Sequence, residues 1–336
     1  MTKVAVVGAT GLVGRTMTSI LEERDFPIDD LRLFASSRSA GSKIPTKWGE
    51  VEVEELGASD PAGVEIAMFS AGADRSRAYA DSFVEVGAVV VDNSSAFRMQ
   101  SDVPLVVAGV NDHAVAQHRG LIANPNCTTM TLMMAAGPLH RAANLRSMVA
   151  TTYQSVSGSG TKALAELTRQ VDQLGGNMEL LVTGGWEDPG SEVYLRPIGW
   201  NVIPFAGNEK EAGYTDEEWK LVNESRKILE APELAVEPTC VRVPVMVGHG
   251  VAANLWFERD MGRDEAISLL TSSPGAQLWE EKVPTPLDAA GRDHVLVGRV
   301  RETLGTPGGI SLWTVGDNLR KGAALNAVQI AELLAK

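Results

Sequence analysis

The sequence predicts an α/β chain of two domains, a doubly wound N-terminal domain and an α+β domain built on a largely antiparallel sheet. Three observations predict it. Short apolar runs alternate with helical stretches over roughly the first 126 residues, which reads as strands of a mostly parallel sheet joined by crossover helices. A glycine-rich turn joins the first strand to the first helix. After residue 127 the texture changes, and the later strand-like runs follow one another with little helix between them.

In order, a strand over 3–7 leads into Gly8-Ala9-Thr10-Gly11-Leu12-Val13-Gly14 and a helix over 15–23. Small residues at Gly8 and Gly11 let a pyrophosphate approach the backbone N–H groups of Thr10, Gly11, Leu12 and Val13 at the positive end of the helix. That context makes the first domain Rossmann-like. The second strand, over 31–35, ends at Ser36-Ser37-Arg38-Ser39, where an NAD site would usually offer a carboxylate to the ribose hydroxyls. Hydroxyls and a guanidinium suit a 2′-phosphate, so NADP is expected over NAD, with a solvated polar loop as the alternative.

Further strands are predicted over 65–70, 88–92, 105–107 and 121–123, and a helix over 75–86. Ser70-Ala71-Gly72 and Asn93-Ser94-Ser95 fall just past strand ends, the edge where such sheets bind ligands. Asn124-Pro125-Asn126-Cys127-Thr128-Thr129 then places a cysteine at a strand-to-helix corner, ahead of the apolar run 130–139. Beyond it come a strand over 148–156, Ser157-Gly158-Ser159-Gly160, a helix over 161–174 and an irregular stretch over 175–213 rich in Gly, Pro and Trp. Strands over 239–247 and 251–258 are joined by Gly248-His249-Gly250, and two more run over 295–301 and 310–315. The segment 319–334 has helical periodicity and is expected to pack back on the first domain. The domains expected are 1–126, completed by a C-terminal helix at 317–336, and 127–316.

The 336 residues favour about two domains, and 44% hydrophobic with 22% charged content is that of a globular protein with sizeable cores. Thirty basic against 43 acidic residues give a charge of −13, which opposes nucleic acid or an anionic membrane as the main partner. An anionic substrate would need arginines and lysines gathered locally. Two cysteines make no disulfide framework and five histidines show no ligand spacing, so no metal is expected and a reducing compartment is. The chain enters its first strand directly after Met1-Thr2-Lys3, leaving no room for a signal peptide, and no segment reaches the length of a membrane span. A cytoplasmic protein is expected.

A thiol in the first turn of a helix meets unsatisfied N–H groups and the positive end of the dipole, both of which favour thiolate. Cys127 is therefore the candidate nucleophile, a small buried cysteine being the alternative. Beside a nicotinamide site it suggests oxidoreduction at the aldehyde level through a covalent thioester or thiohemiacetal. Among the histidines, His249, between two glycines at a strand junction, is the candidate proton carrier. Arg242, within Val241-Arg242-Val243-Pro244-Val245, points at an anion or lies on the wet face of an edge strand. Glu217 and Lys220 share one face of a helix starting at Thr215 and read as an exposed ion pair. Gln154 could orient a carbonyl or the thiol, or make a hydrogen bond at the core edge. Arg98, after Asn93-Ser94-Ser95-Ala96-Phe97, could bind phosphate or be solvated.

Taken in order, these segments resemble the bacterial aspartate-semialdehyde dehydrogenase family. The likeness also takes in Asn201-Val202-Ile203-Pro204, Glu217-Glu218-Trp219-Lys220, Pro284-Thr285-Pro286-Leu287 and Gly316-Asp317-Asn318-Leu319-Arg320-Lys321-Gly322-Ala323-Ala324. The resemblance implies Cys127 as nucleophile, His249 as acid/base and Gln154 as orienter of substrate and thiol. It implies Arg242 on the substrate carboxylate, Glu217 on its amino group, Arg98 and Lys220 on phosphate, and Asn126 holding substrate. It further implies Ser157, Gly158 and Asn318 on the cofactor and a homodimer, with a tetramer possible. The implied reaction is the reversible reductive dephosphorylation of L-aspartyl 4-phosphate to L-aspartate 4-semialdehyde with NADPH, which feeds synthesis of lysine, threonine, methionine and isoleucine. Three departures stand out: Ala108-Gly109 where Pro-Glu is common, Gly250 in place of a serine, and an enlarged loop at 184–197.

Two rivals share much of this pattern. An N-acetyl-glutamyl-phosphate reductase would keep thiol, histidine and NADP, but would have no use for Glu217 because its substrate amine is acetylated. A catalytically silent homologue would have no reason to keep Cys127, Gln154, Arg242 and His249 together.

Overall fold

The computed structural model describes residues 2–176 and 178–335. The chain divides into two compact units, Met1–Gly137 with Asn223–Pro232 and Leu319–Lys336, and Pro138–Val222 with Glu233–Asn318.

The first unit holds a seven-stranded sheet. Its strands are β1 (Thr2–Val7), β2 (Ile28–Ala35), β3 (Lys43–Thr46), β4 (Gly49–Glu55), β5 (Ile66–Phe69), β6 (Val89–Asp92) and β7 (Leu121–Ala123), in the order β3-β4-β2-β1-β5-β6-β7. Every pairing is parallel except β3 with β4. The central strands are buried on both faces, so they read as continuous apolar runs. On one face Val4, Val6, Leu33 and Met68 pack with Met17, Ile20 and Leu21 of α1 (Leu12–Glu23) and with Val328 and Ile330 of the C-terminal helix Leu325–Leu334. On the other, Phe83 of α2 (Ala73–Glu85) meets Phe34 and Phe69 edge-on at 5.4 and 5.1 Å. Such pairs add about 0.5–1.5 kcal/mol each to the area they bury.

Several expectations for this unit are corrected. The β3–β4 hairpin was not predicted, although Val51 and Val53 alternate with Glu50, Glu52 and Glu54 in the pattern of a half-buried strand. The predicted strand 105–107 is a single bridge between Leu105 and Ala123. Asn111 ends the ladder by taking the Val107 N–H at 2.8 Å and donating to the Leu105 carbonyl at 2.9 Å. The C-terminal helix does not run from 319: a π-turn at Arg320–Ala324 precedes it.

The second unit holds a six-stranded sheet. Its strands are β8 (Leu145–Gln154), β9 (Ala235–Arg242), β10 (His249–Phe257), β11 (Ala276–Trp279), β12 (Val295–Glu302) and β13 (Gly309–Gly316), in the order β11-β12-β13-β10-β8-β9. The three central pairings are antiparallel and the two outer ones parallel. Its helices include α4 (Thr161–Gly175), a short α5 (Met178–Thr183) inside the stretch expected to be irregular, and the first turns of α6 (Asp216–Ile228). The strand expected over 239–247 ends at Arg242, since Pro244 has no N–H to give a ladder. The strand expected from 251 starts at His249, so that histidine belongs to β10 and not to a connector.

The 184–197 loop is shaped by α4. Glu166 Oε2 accepts the N–H groups of Glu192 and Val193, both at 2.8 Å. Gln170 Oε1 accepts those of Ile198 and Gly199 at 2.8 and 2.9 Å, and its Nε2 donates to the Gly190 carbonyl at 2.7 Å. Both side chains are buried, and burying an unpaired amide or carboxylate is costly, so the hydrogen bonds fix the path of the chain.

Candidate active site

In the first unit, the Gly8 turn has little room for side chains. Gly8 has φ +89°, and a Cβ there would fall 2.4 Å from the Ser70 carbonyl oxygen; one on Gly14 would fall 2.2 Å from the Gly8 oxygen. No side chain caps the N-terminus of α1 at Gly11. Uncapped N–H groups over a bare glycine turn suit a pyrophosphate. The Thr10 and Ser39 hydroxyls lie 3.4 Å apart, Ser37 and Arg38 are exposed beside the half-buried Ser36, and Ser70, Ala71 and Gly72 follow β5. These residues fit a dinucleotide, with Arg38 free to face a 2′-phosphate.

Cys127 is the first residue of α3 (Cys127–Ala143) and is half-buried. Asn126 Oδ1 caps this helix, accepting the N–H groups of Thr128 at 2.9 Å and Thr129 at 3.4 Å. Arg98 is buried, not solvated. It donates to the carbonyls of Asn93 and Asn124 and to Glu224 Oε1 at 2.9 Å, while Glu224 Oε2 accepts the Asn126 N–H at 2.7 Å. Asn93 also bonds its side chain to Asn124. Glu224 was not singled out from the sequence, although it lies one turn beyond Lys220 on α6.

In the second unit, Gln154 ends β8 and is the register partner of Arg242, which ends β9. His249 opens β10 opposite Gly316 of β13, and Gly250 pairs with Tyr153. Gln154, Arg242 and His249 thus gather at one end of the sheet. Ile203, from the Asn201-Val202-Ile203-Pro204 segment, bonds Arg242 through both backbone groups at 2.8 and 3.0 Å. All three side chains are buried, and Gln154 Oε1, Arg242 Nε and His249 Nε2 find no partner among the described residues. Buried polar atoms left open in one place are costly, and are expected where a ligand completes them. A Cβ on Gly158 would stand 3.0 Å from His249 Nε2 and 3.5 Å from Arg242 Nη1, so the imidazole and guanidinium meet beneath that glycine.

Burial, and after it the Arg242 charge, push the His249 pKa down to about 3, so the ring is neutral at physiological pH. Its Nδ1 accepts the Ser155 N–H at 3.0 Å. Asn318 Oδ1 accepts the Gly248 N–H at 2.9 Å, and its Nδ2 donates to the Ser157 hydroxyl at 2.8 Å. Gly250 is needed here because a Cβ would enter the Trp313 ring at 2.2 Å, which accounts for the missing serine. Ser155 and Tyr194, whose ring lies 5.9 Å from the Arg242 guanidinium, were not singled out from the sequence.

Glu217 and Lys220 form an ion pair at 2.5 Å, with Asp216 3.4 Å from the same ammonium. The pair is partly buried, with the Glu217 side chain 11% exposed, and is not the exposed surface pair its spacing suggested. Glu218 anchors this turn, accepting from Thr215 at 2.7 and 2.9 Å and from the Cys240 N–H at 2.9 Å. Burial raises the Cys240 thiol to about 12, so this cysteine stays protonated and unreactive.

Among the described residues no cluster of His, Cys, Asp or Glu is placed to hold a metal, and no helix is long and apolar enough to cross a membrane.

Comparison with known proteins finds relatives along the whole chain. The family model described as semialdehyde dehydrogenase, NAD binding domain, matches residues 3–118, and that described as semialdehyde dehydrogenase, dimerisation domain, matches 137–321. The aspartate-semialdehyde dehydrogenase of Streptomyces akiyoshiensis is 50% identical over 99% of this chain and 98% of its own, and that of Mycolicibacterium smegmatis 48% over 100% and 99%. The crystal structure of aspartate semialdehyde dehydrogenase II from Vibrio cholerae complexed with ASA superposes with a TM-score of 0.94 at 42% identity, covering 100% of this chain and 98% of that one. With relatives this similar along its whole length, the chain belongs to the aspartate-semialdehyde dehydrogenase family.

Proposed function

We propose that this chain catalyses the NADP-dependent, reversible reductive dephosphorylation of L-aspartyl 4-phosphate to L-aspartate 4-semialdehyde, a step toward lysine, threonine, methionine and isoleucine. Membership of the family carries the reaction. The observation that carries the site is the set of buried, open polar atoms on Gln154, Arg242 and His249 at adjoining strand ends.

In the biosynthetic direction the Cys127 thiolate displaces phosphate from the acyl carbon and forms a thioester. The cofactor, when bound, supplies hydride to that carbon or takes it in reverse. The Gly8 to Gly14 turn holds its pyrophosphate, and Ser36, Ser37 and Arg38 its 2′-phosphate. Ser70, Ala71, Gly72, Asn93, Ser157, Gly158 and Asn318 line the rest of its site. Arg242 receives the substrate carboxylate in its fork, and Glu217 its ammonium. Arg98 and Lys220 each serve the phosphate, and Asn126 holds the substrate next to the thiol. Gln154 orients the carbonyl, and His249 carries the proton that the departing oxygen or thiol requires.

The solvent-facing side of the second sheet, with Val149 and Tyr153 exposed, fits a homodimer, and two such dimers would make a tetramer. Family likeness and a thiol nucleophile fit the reducing cytoplasm. The deciding experiment is NADP reduction by aspartate semialdehyde with and without phosphate, on wild type and Cys127→Ala. Phosphate-dependent turnover that vanishes in the variant supports the reading. Full turnover by Cys127→Ala, or preference for N-acetylglutamate semialdehyde, refutes it.

A further inference from the structure

Arg98 and Arg242 are both buried, but they are held in different ways. Arg98 is bound by one carboxylate and two main-chain carbonyls. Arg242 has no ion-pair partner and no side-chain hydrogen bond among the described residues, and its Nε lies buried and open. A cation taken out of water without a partner is costly, and that cost calls for an offset. The group that lies against it is the Tyr194 ring, whose centre is 5.9 Å from the guanidinium carbon.

Both residues stand on fixed backbone. The Val193 N–H, just before the tyrosine, is held by Glu166 at 2.8 Å, and the Tyr194 ring packs with the cluster of Val156, Ala163, Leu167 and Ile198. Its hydroxyl lies 3.5 Å from the Val156 carbonyl oxygen. Arg242 is tied through its main chain to Ile203 at 2.8 and 3.0 Å, and Ile203 belongs to the same apolar cluster. The backbone leaves undecided only the course of the long arginine side chain, which has many rotamers to lose. A carboxylate beside the guanidinium would settle that course, but it would occupy the N–H groups that a substrate carboxylate needs. The negative face of an aromatic ring attracts the cation and takes up none of them.

We propose that Tyr194 is a positioning residue for substrate binding: its ring steadies the Arg242 guanidinium while leaving the N–H groups open to the substrate carboxylate. The inference rests on the assignment of Arg242 to that carboxylate, and it adds what keeps a buried, unpaired arginine ready to receive it. No bond is made or broken at Tyr194, and the phenol hydroxyl is not required.

The test is steady-state kinetics of the full chain in the phosphate-dependent assay, with Tyr194→Phe, Tyr194→Leu and Arg242→Lys. A desolvated cation–π contact is strong enough for Tyr194→Leu to raise KM for aspartate semialdehyde about 10-fold. Both kcat and the KM for phosphate stay at the wild-type values, and Tyr194→Phe, which keeps the ring, binds the semialdehyde like wild type. If Tyr194→Leu has an unchanged KM for the semialdehyde while Arg242→Lys has lost affinity, the role of Tyr194 is wrong and that of Arg242 stands. Equal losses for semialdehyde and phosphate in Tyr194→Leu would mark a general packing role and overturn the proposal as well. If Arg242→Lys binds the semialdehyde like wild type, both assignments fall. Should Tyr194→Leu not fold, Tyr194→Phe carrying one, two or three ring fluorines decides, because each fluorine weakens the negative face of the ring with little change of shape. A stepwise rise in KM for the semialdehyde along that series supports the proposal, and a flat series overturns it.

Discussion

Glu224 clasps Arg98 at 2.9 Å, and both side chains are almost wholly buried, at 1% and 9% exposed. The other carboxylate oxygen holds the Asn126 N–H, so one side chain steadies both a candidate phosphate ligand and the residue preceding the nucleophile. A buried cation whose partner is removed loses its compensation. Glu224→Ala is expected to destabilise the protein by about 3–5 kcal/mol, with Glu224→Gln costing less because the amide oxygen can still accept. Denaturant titration of both variants measures this; equal stability of Glu224→Ala and wild type would contradict it.

Arg242→Lys keeps the charge and loses the fork. A charge-assisted contact contributes about 1.5–3 kcal/mol, so kcat/KM for aspartate semialdehyde should fall by about 10- to 100-fold, mainly through KM. Steady-state kinetics over a range of substrate concentration separates the two constants. An unchanged KM would remove Arg242 from the carboxylate.

Acid should weaken the fold through His249. Its pKa drops from the ordinary value of about 6.5 to about 3 in the folded chain, so between these limits the unfolded chain holds the proton and the folded chain does not. The contribution is complete above about pH 6.5 and is lost as pH falls toward 3. Unfolding in this window should take up about one proton more in wild type than in His249→Asn, readable from the pH dependence of Tm in the two proteins. Parallel curves would show that the ring titrates normally.

Gly8→Ala has no room and the wrong backbone angle, since φ is +89° and the Ser70 carbonyl lies 2.4 Å from the new carbon. The turn must shift, so NADP affinity should fall by about 10-fold or more, with some loss of stability. Fluorescence titration with NADPH tests it, and retention of wild-type affinity would show that the turn does not hold the pyrophosphate.

Legibility in the sequence followed how local the cause was. The Gly8 turn and the entry to α3 at Asn126-Cys127 are decided by neighbours in the chain, and their residues announce them. Gln154, Arg242 and His249 could be picked by type, but their meeting at one sheet end depends on the register of β8, β9 and β10. The strand break after Arg242 has its signal in Pro244, which cannot donate to a ladder. A strand read from 251 leaves His249 in a connector, since Gly248 and Gly250 suggest a turn. Gly248 does have φ +100°, whereas Gly250 is a glycine because Trp313, from a distant strand, fills its space. Burial of Arg98 and Arg242 was hidden for the same reason: nothing near them in sequence reveals Glu224 or Ile203.

The grip of Glu166 and Gln170 falls on main-chain groups, not on the side chains of the segment they hold. Exposed positions along that segment are thereby uncoupled from its route, whereas Val193, Tyr194 and Ile198 are tied to it by packing with Val156, Ala163 and Leu167. Lineages can rewrite its chemistry at those exposed positions, and selection need preserve only the two helix positions and the packed residues to keep the scaffold intact. Variation in selectivity among relatives would then accumulate in this stretch first, at little risk to folding.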